Sequence, residues 1–72
     1  MKRVRKFEYE GHEVHLGYST KYKHYKVQVG GKPAGWVIPG TCSAYDDNGE
    51  LLGVANSIET AAYFVAENYV YS

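Results

Sequence analysis

Basic residues are missing from the second half of this chain. All eight Lys and Arg residues lie at or before Lys32, and none follows it in the 72-residue sequence. With three acidic residues among them, the first 32 positions carry a net charge of +5, and with five acidic residues the remaining positions carry −5. The formal net charge of zero therefore conceals two halves of opposite charge. This separation of charge concerns partners and association rather than fold.

Cysteine is almost absent as well. The single Cys42 cannot form an internal disulfide, whereas small secreted domains usually rely on several. The basic start, residues 1–6, is followed by the sequence FEYE rather than by the apolar segment of a signal peptide. No apolar run approaches the roughly 20 residues that a membrane span needs. These absences predict a cytoplasmic protein with no membrane partner.

Motifs that carry chemistry are also lacking. His12 and His15 lie three apart in a segment that alternates like a strand, so their side chains would point to opposite faces and not to one metal. The acidic segment 46–50 (DDNGE) is not accompanied by the other ligands of a calcium loop, and its composition favours a turn. Cys42 has no accompanying motif that would mark a reactive thiol. We therefore predict a protein that is not an enzyme and that uses no metal and no cofactor.

Alternation of polar and apolar residues predicts two hairpins, and turn residues predict a short third hairpin or an ordered loop with strand character. Gly-Gly and Asn-Gly pairs favour the turns of such hairpins because both tolerate positive φ. The paired segments and their turns are residues 2–9 and 12–19 around Glu10-Gly11, residues 22–29 and 34–38 around Gly30-Gly31, and residues 41–45 and 51–54 around a turn containing Asn48-Gly49.

A single helix is predicted from about residue 58 to residue 68. Ser57 suits its N-cap and Glu59 the positive end of its dipole. Strands followed by a helix predict one α+β domain over residues 1–72, a small antiparallel β-sheet of hairpins with one C-terminal α-helix packed on a face. The predicted core comprises Val14, Leu16, Val27, Val29, Trp36, Ile38, Leu52, Val54, Ile58, Ala62, Val65 and Tyr69.

The basic half of the chain is the strongest candidate for function. Lys and Arg pair with acidic groups or phosphates, and aromatic rings between them add contact area or stack on bases. The chain has two basic clusters, one within residues 2–6 and the other within residues 21–26. They would form one patch if the strands that carry them are near neighbours. The predicted partner-binding residues are Lys2, Arg3, Arg5, Lys6, Lys21, Tyr22, Lys23, His24, Tyr25 and Lys26.

Two kinds of partner are compatible with these residues. The pI of 6.8 is below the value of about 9 that nucleic-acid modules usually exceed, which favours a larger protein partner selected by electrostatic complementarity. A nucleic-acid-binding domain that uses the same basic patch is the alternative. The opposite charges of the two halves also allow homodimerisation, and lysines on strands can simply prevent edge pairing.

The chain as a whole combines small size, a charged start, a strand-rich body and a closing stretch in which residues 47–52 (DNGELL) lead to residues 57–62 (SIETAA). In these respects it resembles small phage-encoded proteins that bind a host enzyme and change its activity, including inhibitors of bacterial RNA polymerase. The resemblance implies a non-catalytic regulator or inhibitor, for example of transcription, and it assigns a role to no particular residue.

Overall fold

The computed structural model describes residues 4–72, which form a six-stranded antiparallel sheet with one helix packed on it. Each strand pairs with its neighbours in the chain, so the sheet order is β1-β2-β3-β4-β5-β6. The predicted α+β fold is confirmed. The elements are β1 (Val4–Tyr9), β2 (His12–Ser19), β3 (His24–Val29), β4 (Lys32–Ile38), β5 (Ser43–Asp46), β6 (Leu51–Val54) and α1 (Ile58–Tyr71).

The two predicted hairpins are present, and the third pair of segments forms a hairpin rather than a loop. Residues with positive φ make the turn between β1 and β2 and the turn between β3 and β4. Glu10 and Gly11 have φ of 48° and 83°, and Gly30 and Gly31 have φ of 59° and 83°. Two consecutive left-handed residues suit a two-residue hairpin because their twist matches that of the strands. The turns therefore fix the pairing of β1 with β2 and of β3 with β4.

Helix α1 begins at the predicted residue and ends later than predicted, at Tyr71 rather than near Asn68. The Oγ of Ser57 accepts a hydrogen bond from the backbone N–H of Thr60 at 3.1 Å, which satisfies one free donor at the helix start. In the last turn the hydroxyl of Tyr71 donates a hydrogen bond to the carboxylate of Glu10. Within residues 4–72, no helix has the length and apolar character needed to cross a membrane.

Small side chains dominate the contact between the helix and the sheet. Because alanine ends at Cβ, its repeated use lets the helix lie close to the strands. Of the predicted core residues, Val14, Leu16, Val27, Val29, Ala62 and Val65 are buried. The buried core also includes Ala34, Val37, Ala44, Ala61 and Ala66.

The prediction that Trp36 and Ile38 belong to the core is wrong, and a bulge in β4 explains the error. The pairing of β3 with β4 shifts midway along the strands and leaves Ala34 as an extra residue. An extra residue resets the alternation of side chains beyond it. Val37 is consequently 0% exposed beneath the helix, whereas Trp36 and Ile38 lie on the opposite side of the sheet and are only partly buried.

The C-terminal part of the core prediction is only partly correct. The prediction that Val54 is buried is wrong, because this residue is 61% exposed. It lies at the end of β6, a strand at the edge of the sheet. Leu52, Ile58 and Tyr69 are partly buried and pack against the core.

Gly35 lies where β4, β5 and the helix come closest together. A Cβ placed on it would overlap with the carbonyl oxygen of Tyr45 and lie 3.0 Å from Cγ1 of Val65. Its φ of 155° is also one that residues with a side chain rarely adopt. Only glycine fits this position without moving the backbone of the neighbouring strand.

Replacement of Gly35 by alanine is expected to lower the free energy of unfolding by about 3 kcal/mol, because it adds both backbone strain and a clash in a packed site. Gly17→Ala is the matched control, since no heavy atom lies within 4 Å of the added Cβ, and it should change stability by less than about 0.5 kcal/mol. Urea denaturation of the three proteins measures both values. Equal stability of the two variants would contradict the packing described for Gly35.

Candidate functional site

The sheet face opposite α1, here called the open face, is not covered by another element of the described residues. Alternation along β3, β4 and β5 directs Lys26, Trp36 and Tyr45 onto it. These three residues are neighbours, because Lys26 pairs with Trp36 and Trp36 pairs with Tyr45. The bulge at Ala34 is what places the indole here, and it thereby gives the open face its largest side chain.

Four rings cross the open face in a line, called here the aromatic row: Tyr22, His24, Trp36 and Tyr45. Successive ring centroids are 5.5, 5.5 and 5.8 Å apart, and successive planes are inclined by only 18°, 15° and 18°. Near-parallel rings at these separations are offset-stacked. Tyr22 is 57% exposed and the other three rings are partly buried, so the row presents a continuous aromatic surface.

The turn between β2 and β3 extends the row beyond the end of β3. The backbone N–H of Lys23 donates to the carbonyl of Ser19 at 2.7 Å, and the N–H of Tyr22 donates to the Oγ of Ser19 at 3.2 Å. Lys23 adopts a positive φ of 57°, which closes the turn. This geometry brings the ring of Tyr22 against that of His24, its near neighbour in sequence.

Lysines surround the Tyr22 end of the row. The Nζ atoms of Lys21 and Lys26 lie 5.2 and 5.6 Å from the centroid of the Tyr22 ring, within cation–π range, where each contact contributes roughly 0.5–1 kcal/mol at an exposed site. Lys23 is exposed in the same turn. Lys21, Lys23 and Lys26, called here the lysine cluster, make this end of the row positive.

The other end of the row meets the acidic turn between β5 and β6. Asp46 is buried, and its Oδ1 accepts hydrogen bonds from the backbone N–H groups of Asn48 and Glu50 at 2.9 and 2.8 Å. Asp46 therefore stabilises the turn, as expected for Asp in such a segment. Asp47 is exposed and contributes to a depression of about 460 Å³ beside the row, whose lining includes Trp36.

His24 lies between Tyr22 and Trp36. Burial lowers the pKa of its imidazole below the usual 6.5, and the positive charge of Lys26 lowers it further. Both causes disfavour the imidazolium form and favour a neutral ring. The positive charge at the Tyr22 end of the row is therefore that of the flanking lysines.

The pKa of His24 is expected to lie below 6.5 and to rise when Lys26 is replaced by methionine, since that change removes a nearby positive charge. Because the folded-state pKa is the lower one, this histidine favours folding above the unfolded-state pKa, and the contribution is lost as the pH falls through the folded-state pKa. NMR titration of the imidazole protons measures the shift. Lys32→Met is the control, because Lys32 pairs with Val29 and projects from the helix side of the sheet; an equal shift in that variant would exclude Lys26 as the cause.

The predicted partner-binding residues are divided between the two faces of the sheet. Lys6 lies on the open face, where it pairs with His15. Arg5 and Tyr25 lie on the helix side, with the guanidinium 5.8 Å from the centroid of the Tyr25 ring. Strand β2 separates β1 from β3, so the two basic clusters do not form one compact patch. Lys2 and Arg3 lie outside the described residues.

Sequence reasoning missed Trp36 and Tyr45 as members of the site. The segment from Ala34 to Ile38 is apolar on both alternating faces, so alternation alone does not say which face holds the indole. Gly35 was the available signal, because glycine inside a strand often marks a bulge. Tyr45 joins the row only through its pairing with Trp36, which a local sequence pattern does not specify.

The thiol of Cys42 is half-buried in the turn between β4 and β5 and donates a weak hydrogen bond to the carbonyl of Pro39 at 3.8 Å. The backbone of Cys42 has a positive φ of 57°, and its carbonyl accepts a hydrogen bond from the N–H of Ala55. Among residues 4–72 there is no group of three or more His, Cys, Asp or Glu residues placed to hold a metal ion together.

Comparisons of this chain with protein-family models, with curated proteins and with solved structures found no match.

Proposed function

We propose that this protein is a small non-enzymatic interaction module that binds a larger macromolecule through the open face of its sheet. The observation that carries the proposal is the aromatic row, four near-parallel rings beside the lysine cluster on a face that α1 does not cover. Aromatic side chains are enriched where proteins contact their partners, because they bury a large rigid surface at little cost in conformational entropy.

The chemistry of the row supports binding rather than catalysis. The neighbours of His24 in the row are the rings of Tyr22 and Trp36, and the charge that affects its pKa is that of Lys26. A catalytic histidine instead acts beside a nucleophile or a carboxylate that orients it. Stacked rings and ammonium groups are suited to holding a partner in place.

Both partner classes predicted from the sequence are compatible with this face. Tyr and Trp anchor protein interfaces, and lysines beside aromatic rings also suit nucleic acids. The similarity to small phage-encoded regulators makes a host enzyme, such as RNA polymerase, the first protein target to examine. In that role the module would regulate or inhibit the enzyme by occupying part of its surface.

Substitution on the open face should weaken partner binding while the fold is kept. Tyr22→Ala and Lys26→Glu change exposed side chains, so both variants are expected to fold, whereas capture of material from a cell lysate by the tagged protein should fall by about tenfold or more. Lys32→Glu is the matched charge reversal on the helix side and should leave capture unchanged. Circular dichroism verifies the fold of each variant.

Charge reversal at Arg5 separates this proposal from binding through the basic N-terminal strand. Arg5 lies on the helix side beside Tyr25, so Arg5→Glu should retain binding if the open face is the interface. Loss of capture in Arg5→Glu together with normal capture in Tyr22→Ala and Lys26→Glu would overturn the proposal. Equal capture by all variants would do the same.

A further inference from the structure

We infer that the open face binds single-stranded nucleic acid, with unpaired bases stacked on the aromatic row and phosphates paired with the lysine cluster. This inference rests on the proposed function and names the class of partner. Proteins that bind single strands commonly combine aromatic rings, on which bases stack, with a positively charged path for the backbone. Open antiparallel sheets are one scaffold that arranges rings in this way.

The Tyr22 end of the row is the end that is available to a base. Tyr22 is 57% exposed, whereas Tyr45, at the other end, is partly buried and has Leu51 opposite it on the edge strand β6. Every base has a flat aromatic face, so stacking on such rings tolerates different bases. Burial and Lys26 both lower the pKa of His24, which favours an uncharged ring in the middle of the row.

Charge complementarity distinguishes a phosphate-bearing partner from an uncharged one. The lysine cluster lies at the Tyr22 end, with Lys21 and Lys26 within 6 Å of that ring, so a base stacked there would bring its phosphate within reach of ammonium groups. Lys6 adds a positive charge to the same face on β1. The near-neutral pI does not oppose this, because no acidic residue occurs within residues 21–26, which carry the lysine cluster. The acidic residues on the open face lie elsewhere: Glu8 pairs with Glu13 near the start of β2, and Asp47 lies beside Trp36.

The same distribution of charge argues against a duplex. Proteins that read double-stranded DNA usually insert a helix into the major groove and contact phosphates around it. The only helix of the described residues, α1, contains Glu59 and Glu67 and no basic residue. The rings of the row would find no accessible base faces in a stacked duplex, whereas single strands expose them.

Trp36 is the only tryptophan of the chain, so its fluorescence reports directly on the row. We expect saturable quenching when the protein is titrated with an oligodeoxythymidylate of about ten nucleotides, a length within the usual footprint of such sites. The logarithm of the binding constant should fall with the logarithm of the salt concentration with a slope of about −2, since the three lysines of the cluster would each release about 0.7 counterion.

The variants locate the binding on the open face. Tyr22→Ala should weaken the titration by at least about fivefold through lost stacking, and Lys26→Glu should both weaken it and reduce the salt slope by about one. Lys32→Glu should leave the affinity within about twofold, because its charge lies on the other side of the sheet. Anisotropy of a labelled oligonucleotide repeats the measurement without relying on Trp36, and allows Trp36→Leu to be tested as well.

Three outcomes would overturn the inference. They are the absence of any quenching or anisotropy change at low salt, equal affinity for a duplex of the same length, and equal affinity for polyglutamate, which would indicate lysine electrostatics without stacking. If oligonucleotides fail while a protein captured from lysate is lost in Tyr22→Ala and Lys26→Glu, the nucleic-acid inference falls and the binding function of the open face stands. If neither assay depends on these residues, both fail.

Discussion

The close approach of β4, β5 and α1 at Gly35 is the constraint on which both faces of the sheet depend. No side chain fits there, since a Cβ would overlap with the carbonyl of Tyr45 and crowd Val65. The bulge that includes Ala34 fills this narrow space with the two smallest residue types and then returns the strand to regular alternation. Val37 therefore enters the core, and Trp36 is directed to the opposite side.

Local sequence patterns were sufficient for the elements and their turns. The hairpins β1–β2 and β3–β4 have consecutive positive-φ residues, and the hairpin β5–β6 has an Asp side chain that satisfies turn N–H groups. The helix start is marked by Ser57. These features depend on residues near one another in the chain, so the sequence predicts them well. The helix end was predicted less well because no Gly or Pro follows Asn68 to stop it.

The site was harder to predict because it is made by register between strands. Tyr22 and His24 are near neighbours in the chain, and both were identified. Trp36 and Tyr45 join them only because β4 pairs with β3 and β5 in one particular register. A shift of one residue in that pairing moves a side chain to the other face, and the bulge makes such a shift. Alternation read along β4 alone therefore gave the wrong face for the indole.

The order of the strands has a consequence for how the chain folds. Every strand lies beside its neighbours in sequence, so the loops that must close to form the sheet are short, and the entropy lost in closing them is small. Sheets with mostly local pairings form faster than those that join distant segments. The hairpins can thus assemble one after another along the chain, and only the docking of α1 over strands that precede it requires contacts between distant parts of the sequence.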